Sequence, residues 1–267
     1  MVACIMLTAD RPAMAARAIR SFLAQTYERK RLYIWDTSTV LLDVIGACGK
    51  ANTAQAGVEV ADLISAPLVA RERFVGATIG RLRNAANKYA LAHYTTENTR
   101  PEVLIHWDDD DYSHPKRIKE QVELLTTGAA ISNLGGARRA LECVGYNDVI
   151  FWDTRTHWEK FGPPARPDPY PTAWRFRSVD PRYVIGSSMC YWADAWRSDP
   201  FDDAVGEDVR WWRRHAALSR GVPADGRLIC SIHGGNTSAA YSTELMRGSQ
   251  WQRVQEFDDY VRERMKL

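Results

Sequence analysis

Short apolar runs of strand length alternate with stretches whose apolar residues recur every three or four positions. That alternation predicts βαβ units around a largely parallel sheet. Ala3 to Leu7 reads as a buried strand, and Thr8-Ala-Asp-Arg-Pro12 follows, with Asp10 expected as helix N-cap and Pro12 in the first turn. Ala15, Ile19, Phe22 and Leu23 then recur at helical spacing up to Gln25-Thr-Tyr27, and Arg31 to Trp35 makes a second strand ending in Asp36-Thr-Ser38. Residues 40–70 are poorly periodic, with a strand expected at Val58 to Ile64. Gly76 to Asn84 runs into a helix predicted to bury Ile79, Leu82, Ala86 and Tyr89. Val103 to Trp107 is a further strand, and His114-Pro115 opens a helix carrying Ile118, Val122 and Leu125.

The second half is less regular. Gly135-Gly136 and Leu141 to Trp152 suggest turns and strands of a β-rich insertion. Residues 162–171 hold too many prolines for a helix or central strand and predict a loop. Val184 to Trp192 reads as a strand. A helix opening at Glu207-Asp208 is predicted to bury Val209, Trp212 and Ala216. Leu228 to Ile232 is a last strand ending in His233-Gly-Gly, and Thr243 to Lys266 a terminal helix with Val254, Phe257, Val261 and Met265 inward.

Four consecutive carboxylates, Asp108 to Asp111, end the Val103 strand. Like charges in a row repel one another, and a divalent cation with an anionic phosphate ligand would turn that repulsion into attraction. The carboxyl end of a strand is where open α/β sheets bind ligands. A calcium loop fails on spacing, since its sixth position would be Ser113 rather than Gly and its twelfth Lys119 rather than Glu. A solvated acidic turn capping the next helix remains the plainer alternative.

Composition narrows the class. At 267 residues the chain suits one large α/β domain, and a net charge of +2 makes no case for a polyanion partner. The ten Trp and eleven Tyr can stack on sugars or bases or fill the core; Trp152, Trp158, Tyr170 and Trp174 flank the proline-rich segment and are read both ways. Five cysteines without CxxC spacing (Cys4, Cys48, Cys143, Cys190, Cys230) read as reduced core residues. The opening residues lack the basic stretch of a signal peptide and no run approaches a membrane span, so a cytoplasmic protein without a transmembrane segment is expected.

The run "RPAMAARAIRSFLAQTYERKRLYIWDTS" resembles the opening of family 2 glycosyltransferases of the GT-A fold. It departs where that family has Asp-Asp-Gly-Ser: Trp35 replaces the first acid and Thr37 the glycine, so only Asp36 carries over, as a contact to the nucleotide base. Gly76 to Asn84 is similar to the segment ending in Arg-Asn that approaches the donor nucleotide, and "DDDDYSHPKRIKEQVELL" to the DxDD segment with its downstream Pro, Arg-Ile and Gln-Val. Gly206-Glu207-Asp208 resembles the "ED" start whose acid is the catalytic base, although acids in a first helical turn are also favoured by the helix dipole.

The resemblance implies a mixed α/β sheet flanked by helices as a single GT-A domain over 1–267. Residues 1–127 would hold the nucleotide-sugar, 128–242 shape the acceptor side, and 243–267 form the terminal helix. It implies donor contacts from Thr8, Asp10, Arg11, Asp36, Arg83, Asn84, Asp108 and Asp109, with Arg81 also able to face phosphate. A Mn2+ or Mg2+ ion would sit on Asp110 and His233. Asp208 is the expected base, with Glu207 as fallback or acceptor-positioning partner. Asn236, Thr237 and Ser238 could contact diphosphate or cap their turn. The expected activity is inverting transfer from a nucleoside-diphosphate sugar, a UDP-sugar on the resemblance, to a hydroxyl acceptor. Glycan, small-molecule and modified nucleic acid acceptors stay open. The alternatives are a non-catalytic sugar or nucleic-acid binding module on the same fold, or a transferase acting on a modified nucleic acid base.

Overall fold

Strand β1 (Val2–Thr8) pairs in parallel with β2 (Lys30–Asp36), and helix α1 (Pro12–Leu23) is the crossover between them. The structure, a computed structural model, describes residues 1–38, 58–62, 76–92, 100–131, 138–155, 171–234 and 249–265. Cys48, Trp158, Tyr170, residues 162–170 of the proline-rich segment and Asn236 to Ser238 lie outside those residues.

On the far side of β2 lies β3 (Val58–Asp62), again parallel. The chain returns through α2 (Ile79–Ala92) to β4 (Val103–His106), which pairs in parallel with β1 on its other edge. The chain steps from β1 to β2 and β3 on one side and returns to β4 on the other, and this reversal of strand order opens a crevice at the carboxyl ends of β1 and β4. Beyond it come the short β5 (Tyr112–Ser113), α3 (Arg117–Thr127), a small hairpin of β6 (Ala129–Ile131) and β7 (Arg138–Ala140), and the long β8 (Cys143–Asp153). Then follow β9 (Thr172–Arg177), β10 (Cys190–Trp192), α4 (Ala193–Ser198), α5 (Glu207–His215), β11 (Ser219–Pro223), β12 (Leu228–Ile232), β13 (Trp251–Arg253) and α6 (Asp258–Met265). Strands from both halves share one sheet in the order β13-β9-β8-β10-β4-β1-β2-β3, with β5, β11 and β12 attached beside it.

Alternate residues of β1 explain its continuous apolar run. Cys4 and Met6 face α1 and α3 through Ile19, Phe22, Ile118 and Leu125, while Ala3 and Ile5 face Ala86, Trp196 and Trp211 on the other side. A strand covered on both faces has no polar side to show. The Gln25-Thr-Tyr27 end of α1 is a staple: Gln25 accepts the Ile118 N–H at 3.1 Å and donates to the His114 carbonyl at 2.8 Å, tying α1 to the start of α3.

Several expectations are corrected. Arg11, not Asp10, stands at the N-cap of α1; Asp10 has a left-handed φ of 53° and donates its N–H to Ser38 Oγ. That φ takes it out of the extended conformation a capping residue needs. Helix α2 packs Leu82, Ala86 and Tyr89 on the core as predicted, with Ile79 at the cavity, and it also buries Gly80, Arg83, Asn87 and Ala90, because Arg83 pairs with acids inside the fold. Helix α5 fully buries Glu207 and Trp211, while the predicted Val209, Trp212 and Ala216 are half-buried, Trp212 against the core and Val209 at the cavity. Only the end of Val184 to Trp192 is a strand. The carbonyls of Gly186, Ser187 and Ser188 are bent toward His106, Arg117 and Gln121 instead of a neighbouring strand. Among the described residues the terminal helix is α6, since Trp251 packs on Phe151 and Phe176 and draws its segment into the sheet as β13. Of the aromatic residues read both ways, Trp152 is 4% exposed and belongs to the core. Cys4, Cys143, Cys190 and Cys230 are free and buried, as expected.

Candidate active site

Beyond β4 the chain passes through Trp107, whose indole donates to the Ala18 carbonyl at 3.0 Å and meets Phe22 edge-on. Arg117 lies over the Trp107 ring and is fully buried, donating to Ser113 Oγ, the His106 carbonyl and the Ser187 carbonyl at 2.7–2.8 Å. These contacts fix where the acidic run leaves the sheet. Asp108 to Asp111 then line a cavity of about 330 Å³ at the carboxyl end of β1 and β4. Glu207 and Asp208, at the start of α5, line the same cavity.

Each acid has a different environment. Asp109 accepts the Thr8 hydroxyl at 2.7 Å and pairs with Arg11 at 3.0 Å. Burial, and then the Asp110 charge beside it, push its carboxyl up to about 7. Asp110 Oδ2 stands 3.0 Å from His233 Nε2 and 3.4 Å from Arg11 Nη1. Asp111 accepts the Ser231 N–H at 2.9 Å through Oδ1, while its Oδ2 is buried without a hydrogen-bond partner. Burial, then Asp110 and Asp108, raise its pKa well above the carboxylate range.

Arg83 joins the two acidic groups. Its Nε donates to Glu207 Oε1 at 3.1 Å, and its Nη2 lies 3.8 Å from Asp108. Burial alone would lower its pKa, but Glu207 and then Asp108 hold the guanidinium charged. Glu207 is 3% exposed, and burial, with Asp208 next, raises its pKa against the pull of Arg83. Asp208 is half-buried, accepts the Val209 N–H at 2.8 Å, and rests on backbone: a Cβ on Gly186 would come 1.7 Å from its Oδ2. Glycine at 186 is what lets that carboxylate reach the cavity.

Part of the lining is aromatic. Phe151, Phe176, Tyr183 and Trp251 form it, with ring centroids 5.0–5.9 Å apart along the series Phe151, Trp251, Phe176, Tyr183.

Thus Arg11, Arg83, Asp108, Asp109, Asp110, Glu207 and Asp208 line one cavity, and Thr8 and His233 touch its acids directly. Asp36 ends β2 buried, accepting the Ser38 N–H at 2.8 Å. Asp10 is exposed outside the lining, and Arg81 is exposed on α2. Asn84 turns away from the cavity: its amide accepts the Trp196 indole N–H and the Phe201 N–H and donates to the Phe201 carbonyl. It anchors the segment before α5. Sequence reasoning missed Arg17, Ser231 and Gly186, and gave no role to Arg117 of the matched Arg-Ile pair. The signal for Arg17 is a cation set among Ala15, Ala18 and Ile19, on the stripe that α1 buries.

Among the described residues no group of three or more His, Cys, Asp and Glu is already drawn together as a metal cage. The donor set nevertheless fits a hard cation. Two ligands on an octahedral ion at about 2.1 Å stand about 3 Å apart, the spacing of Asp110 Oδ2 and His233 Nε2. Six carboxyl groups face two guanidiniums around the cavity, and the unpartnered Asp111 Oδ2 adds an oxygen beside them. No helix among the described residues is long and apolar enough to cross a membrane.

No protein-family profile and no curated protein matches the sequence. Solved structures do match in shape. Residues 1–349 of S. aureus TarS, in a crystal structure with UDP-GlcNAc, align with a TM-score of 0.52 at 12% identity, over 88% of this chain and 59% of that one. A crystal structure of S. aureus TarS aligns with a TM-score of 0.50 at 13% identity, over 86% of this chain and 36% of that one. This chain therefore spans about three-fifths of the shorter TarS structure. The mixed α/β sheet flanked by helices is the GT-A fold.

Proposed function

We propose that this GT-A chain transfers a sugar from a nucleoside-diphosphate sugar, a UDP-sugar in the first instance, to a hydroxyl acceptor with inversion at the anomeric carbon. One observation carries the reading: acids from the end of β4 and from the start of α5, about a hundred residues apart, line a single cavity. TarS, which shares the fold, binds UDP-GlcNAc, and that supports the choice of donor.

Asp110 and His233 would hold a divalent cation, with Asp108 beside them. Such an ion, when bound, offsets the charge growing on the departing diphosphate. Arg83 presents a buried Nη1 without a hydrogen-bond partner in the cavity wall, a donor for a phosphate oxygen or the sugar. Arg11, about one-third exposed beside Asp109 and Asp110, adds a second cation on the same side. The acceptor hydroxyl attacks as its proton passes to Asp208, while the bond from the anomeric carbon to the diphosphate oxygen breaks on the opposite face. Glu207 is committed to Arg83 and serves as positioning partner, leaving Asp208 as the base. The aromatic wall offers the acceptor an apolar face to pack on.

The test is a thermal-shift panel of nucleotide-sugars with and without Mn2+, followed by detection of free UDP. Stabilisation by a UDP-sugar that requires the metal, with slow UDP release in the absence of acceptor, is the expected result. Binding of a UDP-sugar with no release under any acceptor would leave a binding module and overturn the transferase.

A further inference from the structure

Three points distant in sequence meet at the Arg17 guanidinium. Arg17 is 8% exposed on α1; its Nη2 donates to the Asp110 carbonyl and, at 3.4 Å, to Ser231 Oγ. Its Nη1 donates to the Met265 carbonyl at 3.2 Å, in the last turn of α6. Ser231 gives a second hydrogen bond to the same Asp110 carbonyl, at 2.5 Å, and its N–H reaches Asp111 Oδ1. Arg17 Nε has no partner. A buried guanidinium with an unpaired nitrogen costs free energy that an apolar side chain of similar length would avoid. Packing alone therefore does not explain an arginine here.

We infer that Arg17 is a positioning residue for the acidic turn, tying the place of Asp110 to the seating of α6. The catalytic consequence rests on the transferase reading; the mechanical link does not. Helix α6 is seated by Val261 and Met265, in one apolar cluster with Ile229 of β12 and Tyr112 of β5. If α6 lifts, the Met265 carbonyl leaves Nη1, and the guanidinium loses the anchor that orients Nη2 toward Asp110. The Asp110 carbonyl then loses one of its two described donors, keeping Ser231, and its carboxylate loses its fixed relation to His233.

Hydrogen exchange over residues 107–113 and 258–265, with Mn2+ affinity measured in the presence of UDP, tests this in four proteins. They are the wild type, Arg17→Met, Val261→Ala and the double variant. Val261→Ala should speed exchange in both segments by about tenfold and weaken Mn2+ binding to a similar degree. Arg17→Met should speed the 107–113 segment by itself, and adding Val261→Ala should change that segment no further, the non-additivity expected of residues acting through one contact. The proposal is overturned if Val261→Ala loosens α6 and leaves 107–113 unchanged, or if the two effects on 107–113 add. Should Arg17→Met not fold, Arg17→Lys takes its place, keeping the charge but lacking the fork that reaches both carbonyls, with the same two outcomes. A wild type that binds no Mn2+ with UDP would refute the transferase, while the exchange data would still decide the role of Arg17.

Discussion

The acidic turn after β4 and the acidic start of α5 face one cavity but are built differently. Asp109, Asp110 and Asp111 are buried and braced from β1, α1, β12 and the His233 turn by Thr8, Arg17, Ser231 and His233. Glu207 has Arg83, and Asp208 has its own helix N-terminus and the bare backbone of Gly186. The first arrangement keeps repelling charges at fixed positions, which an ion demands of its ligands. The second leaves one carboxylate half-exposed with few bonds to break, which suits a group that must accept a proton and release it. Arg83 spans both and keeps them at a set separation.

The largest effect that would break this contrast is on Asp208. Asp208→Asn should lower turnover by about 10²–10⁴-fold while leaving UDP affinity by calorimetry as in wild type; loss of UDP binding instead would make Asp208 part of the braced set. Arg83→Met removes the shared cation and strands Glu207. Removing one partner of a buried pair costs about 3–5 kcal/mol, measured by urea unfolding, and a cost under about 1 kcal/mol would place the pair with surface bridges. Gly186→Ala should displace Asp208 and cost about 10²-fold in turnover through misplacement, with the unfolding midpoint little changed; unaltered kinetics would mean that Asp208 works from another position.

The smallest effect serves as a reference away from both acidic groups. Asp148 accepts Arg175 and Arg177 at 2.6–2.7 Å, and although burial pulls the other way, these bonds hold its pKa below the ordinary value. A depressed carboxylate stabilises the fold above its unfolded pKa of about 3.9 and loses that contribution as pH falls through its lower folded pKa. Asp148→Asn should therefore cost about 1–2 kcal/mol near neutral pH, allowing for the exposed arginines. The gap to wild type should close below pH about 4, and a constant gap would point to packing instead of charge.

Much of the frame was legible from periodicity. The β1–α1–β2 unit, the β4 strand, its acids and the helix start at Glu207 follow from short apolar runs, from apolar residues every three or four positions and from acids placed at element ends, all of which lie in neighbouring residues. A buried charge on a helix was not legible, as with Arg83 in α2, because its pairing depends on a partner more than a hundred residues away. Val184 to Trp192 misled for the same reason, its carbonyls being claimed by His106, Arg117 and Gln121. Asn84 looked like a ligand residue by position and became an anchor through Trp196 and Phe201.

By itself the sequence determined which segments could be strands or helices and that acids would gather at a strand's carboxyl end, since those are properties of neighbouring residues. Only the tertiary structure decided that the α5 acids face them, that Gly186 makes room for Asp208, and that Arg17 joins α1, the acidic turn and α6. Those relations are distances between remote parts of the chain, and they exist only once the sheet has brought its crossovers together.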